Sequence, residues 1–90
     1  KDLRVRHLNA QANCCPAFLT DVFVNGGAIT VIEWDTLSAC DCLCTYNLLT
    51  VVNDLEPGDY AVTLIGVCTY PVLCAAIGTD TVTIPGRSAE

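Results

Sequence analysis

Apolar and polar side chains alternate with a period of two over much of the chain, and the three-to-four spacing of an amphipathic helix is almost absent. Leu3-Arg4-Val5-Arg6-His7-Leu8 reads as a first strand, with Leu3 and Val5 on one side, Arg4 and Arg6 on the other, and Leu8 out of phase. Phe18 to Val24 and Ala28 to Trp34 are two more β-prone runs, and Asn25-Gly26-Gly27 between them accepts positive φ, which predicts a hairpin. Cys42 to Val52 is a longer strand that is expected to bend near Tyr46-Asn47. Tyr60 to Val67 is almost continuously apolar, as a strand covered on both faces would be, and Thr79 to Ile84 alternates up to Pro85.

Turn signals between these runs recur at the spacing of an all-β sandwich. Leu55-Glu56-Pro57-Gly58-Asp59-Tyr60 adds a local device. Pro57-Gly58 makes a turn ahead of an apolar strand, and this pattern resembles the lead-in to the penultimate strand of immunoglobulin-like and fibronectin-III-like sandwiches. The resemblance implies that the Tyr60 hydroxyl bonds back to the backbone as a tyrosine corner around Leu55, Pro57 and Gly58. It also makes Trp34 a candidate core tryptophan. The expected fold is therefore all-β: one antiparallel, immunoglobulin-like β-sandwich of about seven strands, disulfide-stabilised, spanning residues 1–90 as a single domain.

Asn13-Cys14-Cys15-Pro16, the Asn-Gly hairpin, Cys40-Asp41-Cys42-Leu43-Cys44 and the Leu-x-Pro-Gly-x-Tyr turn, taken together, resemble small exported bacterial β-domains. That similarity covers residues 7–67 and implies location and fold only.

Seven cysteines among 90 residues point the same way, since such a density belongs to small secreted domains. The chain has no Met, begins Lys1-Asp2, and contains no apolar run long enough to span a bilayer. The expectation is an extracellular or cell-surface protein from which a signal peptide has been removed. Net charge is −6, and three of the four basic residues sit at the start as Lys1, Arg4 and Arg6. An acidic body argues against nucleic acid and against anionic membranes as partners.

The cysteine number is odd, so one sulfur is free, metal-bound or joined to another chain. On a strand Cys40, Cys42 and Cys44 would share a face about 7 Å apart, at the edge of disulfide reach, so each is expected to pair with another segment. Cys14 and Cys15 are the available partners, and one such link closes a loop worth roughly 3.6 kcal/mol in lost chain entropy. Cys68 and Cys74 flank a short loop and are expected to clasp it, for roughly 2.4 kcal/mol. Structural disulfides compete with a soft-metal site, for zinc or copper, built from Cys40, Cys42 and Cys44 with His7 or one of the vicinal Cys14 and Cys15 as a further ligand.

Catalysis has little to work with. His7 is the single histidine, and neither a nucleophile elbow nor a phosphate loop occurs. The scattered acids Asp35, Asp41 and Asp80 read as solvated, and His7 reads as a solvated strand residue. No enzyme activity and no cofactor are expected. Two functions remain open. One is a structural subunit of a self-assembling surface filament, whose partners are other copies of the same chain. The other is an exported metal-binding module. For the first, Leu3, Arg4, Val5 and Arg6 are candidates for an assembly arm within residues 1–9 that completes a sheet edge of a neighbour, with the same segment folded back into its own sandwich as the rival.

Overall fold

The computed structural model describes residues 2–85. Its strands are β1 (Leu3–Asn13), β2 (Phe18–Asn25), β3 (Ala28–Asp35), β4 (Leu43–Val52), β5 (Gly58–Thr69) and β6 (Ala76–Ile84), with no helix among the described residues. They form two sheets: β1 with β4, and a four-stranded sheet in the order β2-β3-β5-β6. The molecule is elongated, 54 × 22 × 18 Å. The all-β, two-sheet expectation holds, with six strands in place of about seven.

The sheet is also not purely antiparallel. β3 and β5 run parallel, from Ala28 opposite Ala61 to Asp35 opposite Thr69. Two neighbouring strands can be parallel only if the chain crosses over between them. Here β4 is that crossover: the chain leaves β3, runs through the second sheet as β4, and returns beside β3 as β5. The remaining pairs, β1–β4, β2–β3 and β5–β6, are antiparallel.

Local chemistry explains most boundaries. β2 and β3 meet at Asn25 opposite Ala28, and positive φ falls on Gly26, the first residue of the two-residue loop, as a type II′ turn requires. The phase break at Leu8 is a β-bulge. His7 pairs with Leu48 and Ala10 with Tyr46, so Leu8 and Asn9 together face Asn47 alone. Asn9 takes φ 58° and its N–H donates to the Asn47 side chain at 3.1 Å. The irregularity expected on the strand containing Tyr46-Asn47 thus sits on its partner, and it restores the inward parity to Ala10 and Ala12, both buried.

The core lies between the sheets. Ile29 and Val31 of β3, Tyr60 and Val62 of β5 and Ile84 of β6 meet Val52 of β4 and Leu55, with Leu3, Val5, Leu64 and Val82 packed around them. Burying each large side chain contributes about 1.5–3 kcal/mol. Trp34 is buried but stands outside this cluster. Its indole N–H donates to Asp21 at 3.0 Å and its ring meets Tyr70 edge-on.

Leu3 and Val5 place residues 3–13 in their own domain: the segment considered as an assembly arm is β1, paired along its length with β4. Arg4 and Arg6 alternate outward and are exposed.

Candidate functional site

Two regions carry chemistry that a bare two-sheet fold does not need: the cysteine end and an open flank between β1 and β6.

At the cysteine end, Cys14 is bridged to Cys42 and Cys15 to Cys40, with Cα separations of 5.5 and 5.4 Å. Cys40 and Cys42 lie in the segment before β4, so they do not form a strand row with Cys44. Cys44 is the free thiol, exposed on β4 opposite Ala12. Beyond it, Tyr46, Leu48, Thr50 and Val52 keep the inward parity and are half-buried or buried. Tyr46 donates its hydroxyl to the Asn13 carbonyl at 2.9 Å. Burial and the neighbouring Cys44 push the Tyr46 phenol above its usual range. The third bridge joins Cys68 at the end of β5 to Cys74 ahead of β6, and Cys68 is among the most buried side chains of the molecule.

Asn13 organises the junction of the two cysteine pairs. Its Oδ1 accepts the N–H of Cys15 at 2.9 Å and of Cys40 at 3.1 Å, and its Nδ2 donates to the Cys40 carbonyl. Cys14 N–H donates to the Cys42 carbonyl at 3.2 Å. Asp35 holds the adjoining loop. One carboxylate oxygen accepts the backbone N–H groups of Ala17, Leu37 and Ser38, and the other accepts the Ser38 hydroxyl at 2.7 Å. Burial opposes the charged form of Asp35, but these hydrogen bonds outweigh it and hold the carboxyl below its ordinary value of 3.8. Asp35 is thus a buried loop anchor and not a solvated acid.

His7 likewise is not a solvated strand residue. It shares the inward parity of Leu3 and Val5, and its Nδ1 lies 2.5 Å from Oε1 of the buried Glu33 on β3. His7 and Cys44 do not join Cys40 and Cys42 in one cluster; the sulfurs brought together are those of Cys14, Cys15 and Cys40. Glu33 escaped the sequence reading although its spacing announces it. Ile29, Val31 and Glu33 fall on one face of a strand, which puts the carboxylate inside.

The second region is the flank where β1 and β6, edge strands of the two sheets, border a common groove. Leu3, Val5, Val62, Leu64, Ile77 and Val82 line a groove of about 390 Å³, with Arg4 and Arg6 on one rim and Asp80 on the other. Pairing shifts between Leu64 and Ile65, so Ile77 bulges out of the β5–β6 ladder and stands half-exposed at the groove. The opposite edge strand, β2, shows Phe18, Leu19, Val22, Phe23 and Val24 to solvent, with Asp21 its one charge. Natural edge strands ordinarily carry charges, prolines or bulges that block pairing with another chain. β2 carries almost none of these.

Tyr60 donates its hydroxyl to the Glu56 carbonyl at 2.7 Å, the geometry of a tyrosine corner, with Leu55 buried, Pro57 and Gly58 in the turn, and Gly58 at φ 148°. Among the described residues no helix is long and apolar enough to cross a membrane. Comparison with protein-family models, with curated proteins and with solved structures finds no match.

Proposed function

We propose that the chain is an extracellular structural protein that assembles with copies of itself through β-strand contacts. The observation that supports this most is the β1/β6 flank. Two unpaired strand edges border a groove whose floor is made of core side chains, Val62, Leu64 and Val82. A strand from a second copy laid there adds main-chain hydrogen bonds along an edge and covers apolar surface at the same time.

Charge favours another copy as the occupant. Both arginines among the described residues, Arg4 and Arg6, line the groove, while the chain as a whole carries −6. An acidic copy is steered toward that rim. The exposed β2 edge, on the other side of the sheet, is an unlike surface, and a contact between unlike surfaces repeats without closing, which gives fibres in place of dimers. Three disulfides are compatible with an oxidising, extracellular setting.

The test is the state of association of the oxidised chain, followed by light scattering and negative-stain microscopy. The wild type is expected to form elongated assemblies. Ile77→Lys, and separately the pair Arg4→Glu with Arg6→Glu, are expected to leave a folded monomer with an unchanged circular dichroism spectrum. A wild type that stays monomeric at all concentrations, or variants that assemble as it does, overturns the reading.

A further inference from the structure

Four of the seven sulfurs meet where the loop after β1 crosses the loop before β4. The Sγ atoms of Cys14, Cys15 and Cys40 all lie within 4.8 Å of one another, and that of Cys42 is bonded to Cys14. We propose that in the reduced chain Cys14, Cys15, Cys40 and Cys42 form a four-thiolate site for one zinc ion. This stands independently of the self-assembly reading.

The spacing suits the ion. Zinc–sulfur bonds of about 2.3 Å place tetrahedral sulfurs about 3.8 Å apart. Opening each S–S bond lets its two sulfurs separate to that distance by side-chain rotation, while the Cys14 sulfur closes toward those of Cys15 and Cys40 from within 4.8 Å and Cys42, bonded to Cys14 in the oxidised chain, turns in beside it. Backbone separations of 5.5 and 5.4 Å between the partners need little change.

Hydrogen bonds join the two loops in addition to the disulfides. Asn13 joins both loops through its hydrogen bonds to Cys15 and Cys40, and the Cys14–Cys42 and Ala39–Cys15 backbone hydrogen bonds tie them again. These contacts do not involve the sulfurs, so they favour keeping the four thiols near one another once the disulfides are opened. Cys14 and Cys15 are half-buried and Cys40 and Cys42 exposed, so an ion reaches the site from solvent. Four soft sulfur donors favour zinc over hard cations such as calcium or magnesium.

The chemistry balances. Two equivalents of a dithiol reductant supply four electrons and four protons, converting both disulfides to four thiols and themselves to two disulfides. Zinc then displaces four protons and is held by four thiolates. Two equivalents of a disulfide-bearing oxidoreductase reverse this: each disulfide accepts two electrons from a pair of thiolates and two protons from solvent, both bonds re-form and the ion leaves. In a reducing compartment the metal thus occupies the junction that the two bridges occupy after oxidation.

The experiment reduces the full chain with a water-soluble phosphine under nitrogen and titrates it with Co2+ alone, then with Zn2+ alone. One metal per chain is expected, with the visible absorption and thiolate charge-transfer bands of tetrahedral cobalt. Cys44→Ser is expected to keep them, and the pair Cys14→Ser with Cys42→Ser to lose them; the Cys68 and Cys74 thiols are present in both. Asn13→Ala is expected to weaken binding by about 10–100-fold, the usual cost of removing an outer-sphere partner. If the reduced chain unfolds without metal, zinc must restore its β-sheet circular dichroism. Absence of binding, failure of that recovery, or bands that survive in the Cys14/Cys42 double variant overturns the proposal.

Discussion

His7 on β1 and Glu33 on β3 meet across the two sheets, Nδ1 to Oε1, at 2.5 Å. With Glu33 buried and His7 half-buried, this contact is a polar tie between the two sheets, continuing the line of Leu3 and Val5 toward the small residues Ala10 and Ala12. Its room comes from the neighbouring strand. A Cβ on Gly66 of β5 would lie 2.7 Å from the Glu33 Cβ and 2.9 Å from its carbonyl oxygen, and Gly66 has φ +147°.

Gly66→Ala is therefore expected to destabilise the fold by about 2–4 kcal/mol, from the close approach and the backbone conformation together. Gly78→Ala on β6, where an added Cβ meets nothing within 4 Å, is the control. It is expected to stay within about 0.5 kcal/mol of wild type. Denaturant midpoints of the two variants check this, and equal midpoints would dismiss the role given to Gly66.

Tyr60→Phe removes the hydroxyl bonded to the Glu56 carbonyl and leaves the ring in the core. Glu56 is solvent-exposed, so water partly replaces the lost partner. The expected loss is about 1 kcal/mol, seen as a lower unfolding midpoint with an unchanged denaturant slope.

The parts of the fold written in local sequence were legible without coordinates. Asn25-Gly26-Gly27 specifies a two-residue hairpin, and Leu55 to Tyr60 specifies a turn ahead of an apolar strand. Even the out-of-phase Leu8 marks a real bulge. What stayed hidden depends on partners far along the chain. Nothing in β3 or β5 alone announces that they lie parallel, because that follows from β4 crossing to the other sheet. Asp35 looks like any turn acid until Ala17, eighteen residues earlier, is brought to it. The cysteine row failed for a related reason: Asp41 and its neighbours turn toward Cys14 and Cys15 before the strand begins, so only Cys44 obeys strand parity.

Asp35 gives the fold an acid limit whose sign follows from its hydrogen bonds. Its carboxyl is held below the ordinary 3.8, so the unfolded chain binds that proton more readily than the folded one. The stabilisation is complete above the unfolded value and is lost as pH falls through it toward the folded value. Urea midpoints measured from about pH 7 down to about pH 3 are expected to be flat at first and to fall below about pH 4. Asp35→Asn is expected to start lower and to fall less over the acid part of that range. An identical acid slope in both proteins would remove Asp35 from the account.

The placement of β1 yields the sharpest test, because it opposes two roles for one segment. β1 is the sole described partner of β4 in its sheet, it brings Leu3 and Val5 to the core, and it carries His7 to Glu33. Leu3 and Val5 are partly buried, so each contributes less than the roughly 1.5–3 kcal/mol of a fully buried side chain. The deletion also removes the β1–β4 pairing and the His7–Glu33 contact, and together these losses approach the stability of a small domain. Deletion of residues 1–9 is therefore expected to unfold the chain. A synthetic peptide covering residues 2–9, added in trans, is expected to restore the β-sheet circular dichroism and a cooperative transition, since the deletion leaves a strand-shaped gap beside β4. A truncated chain that stays folded and monomeric would show that its own domain does not need the segment, and would return Leu3 to Arg6 to the role of a connector between copies.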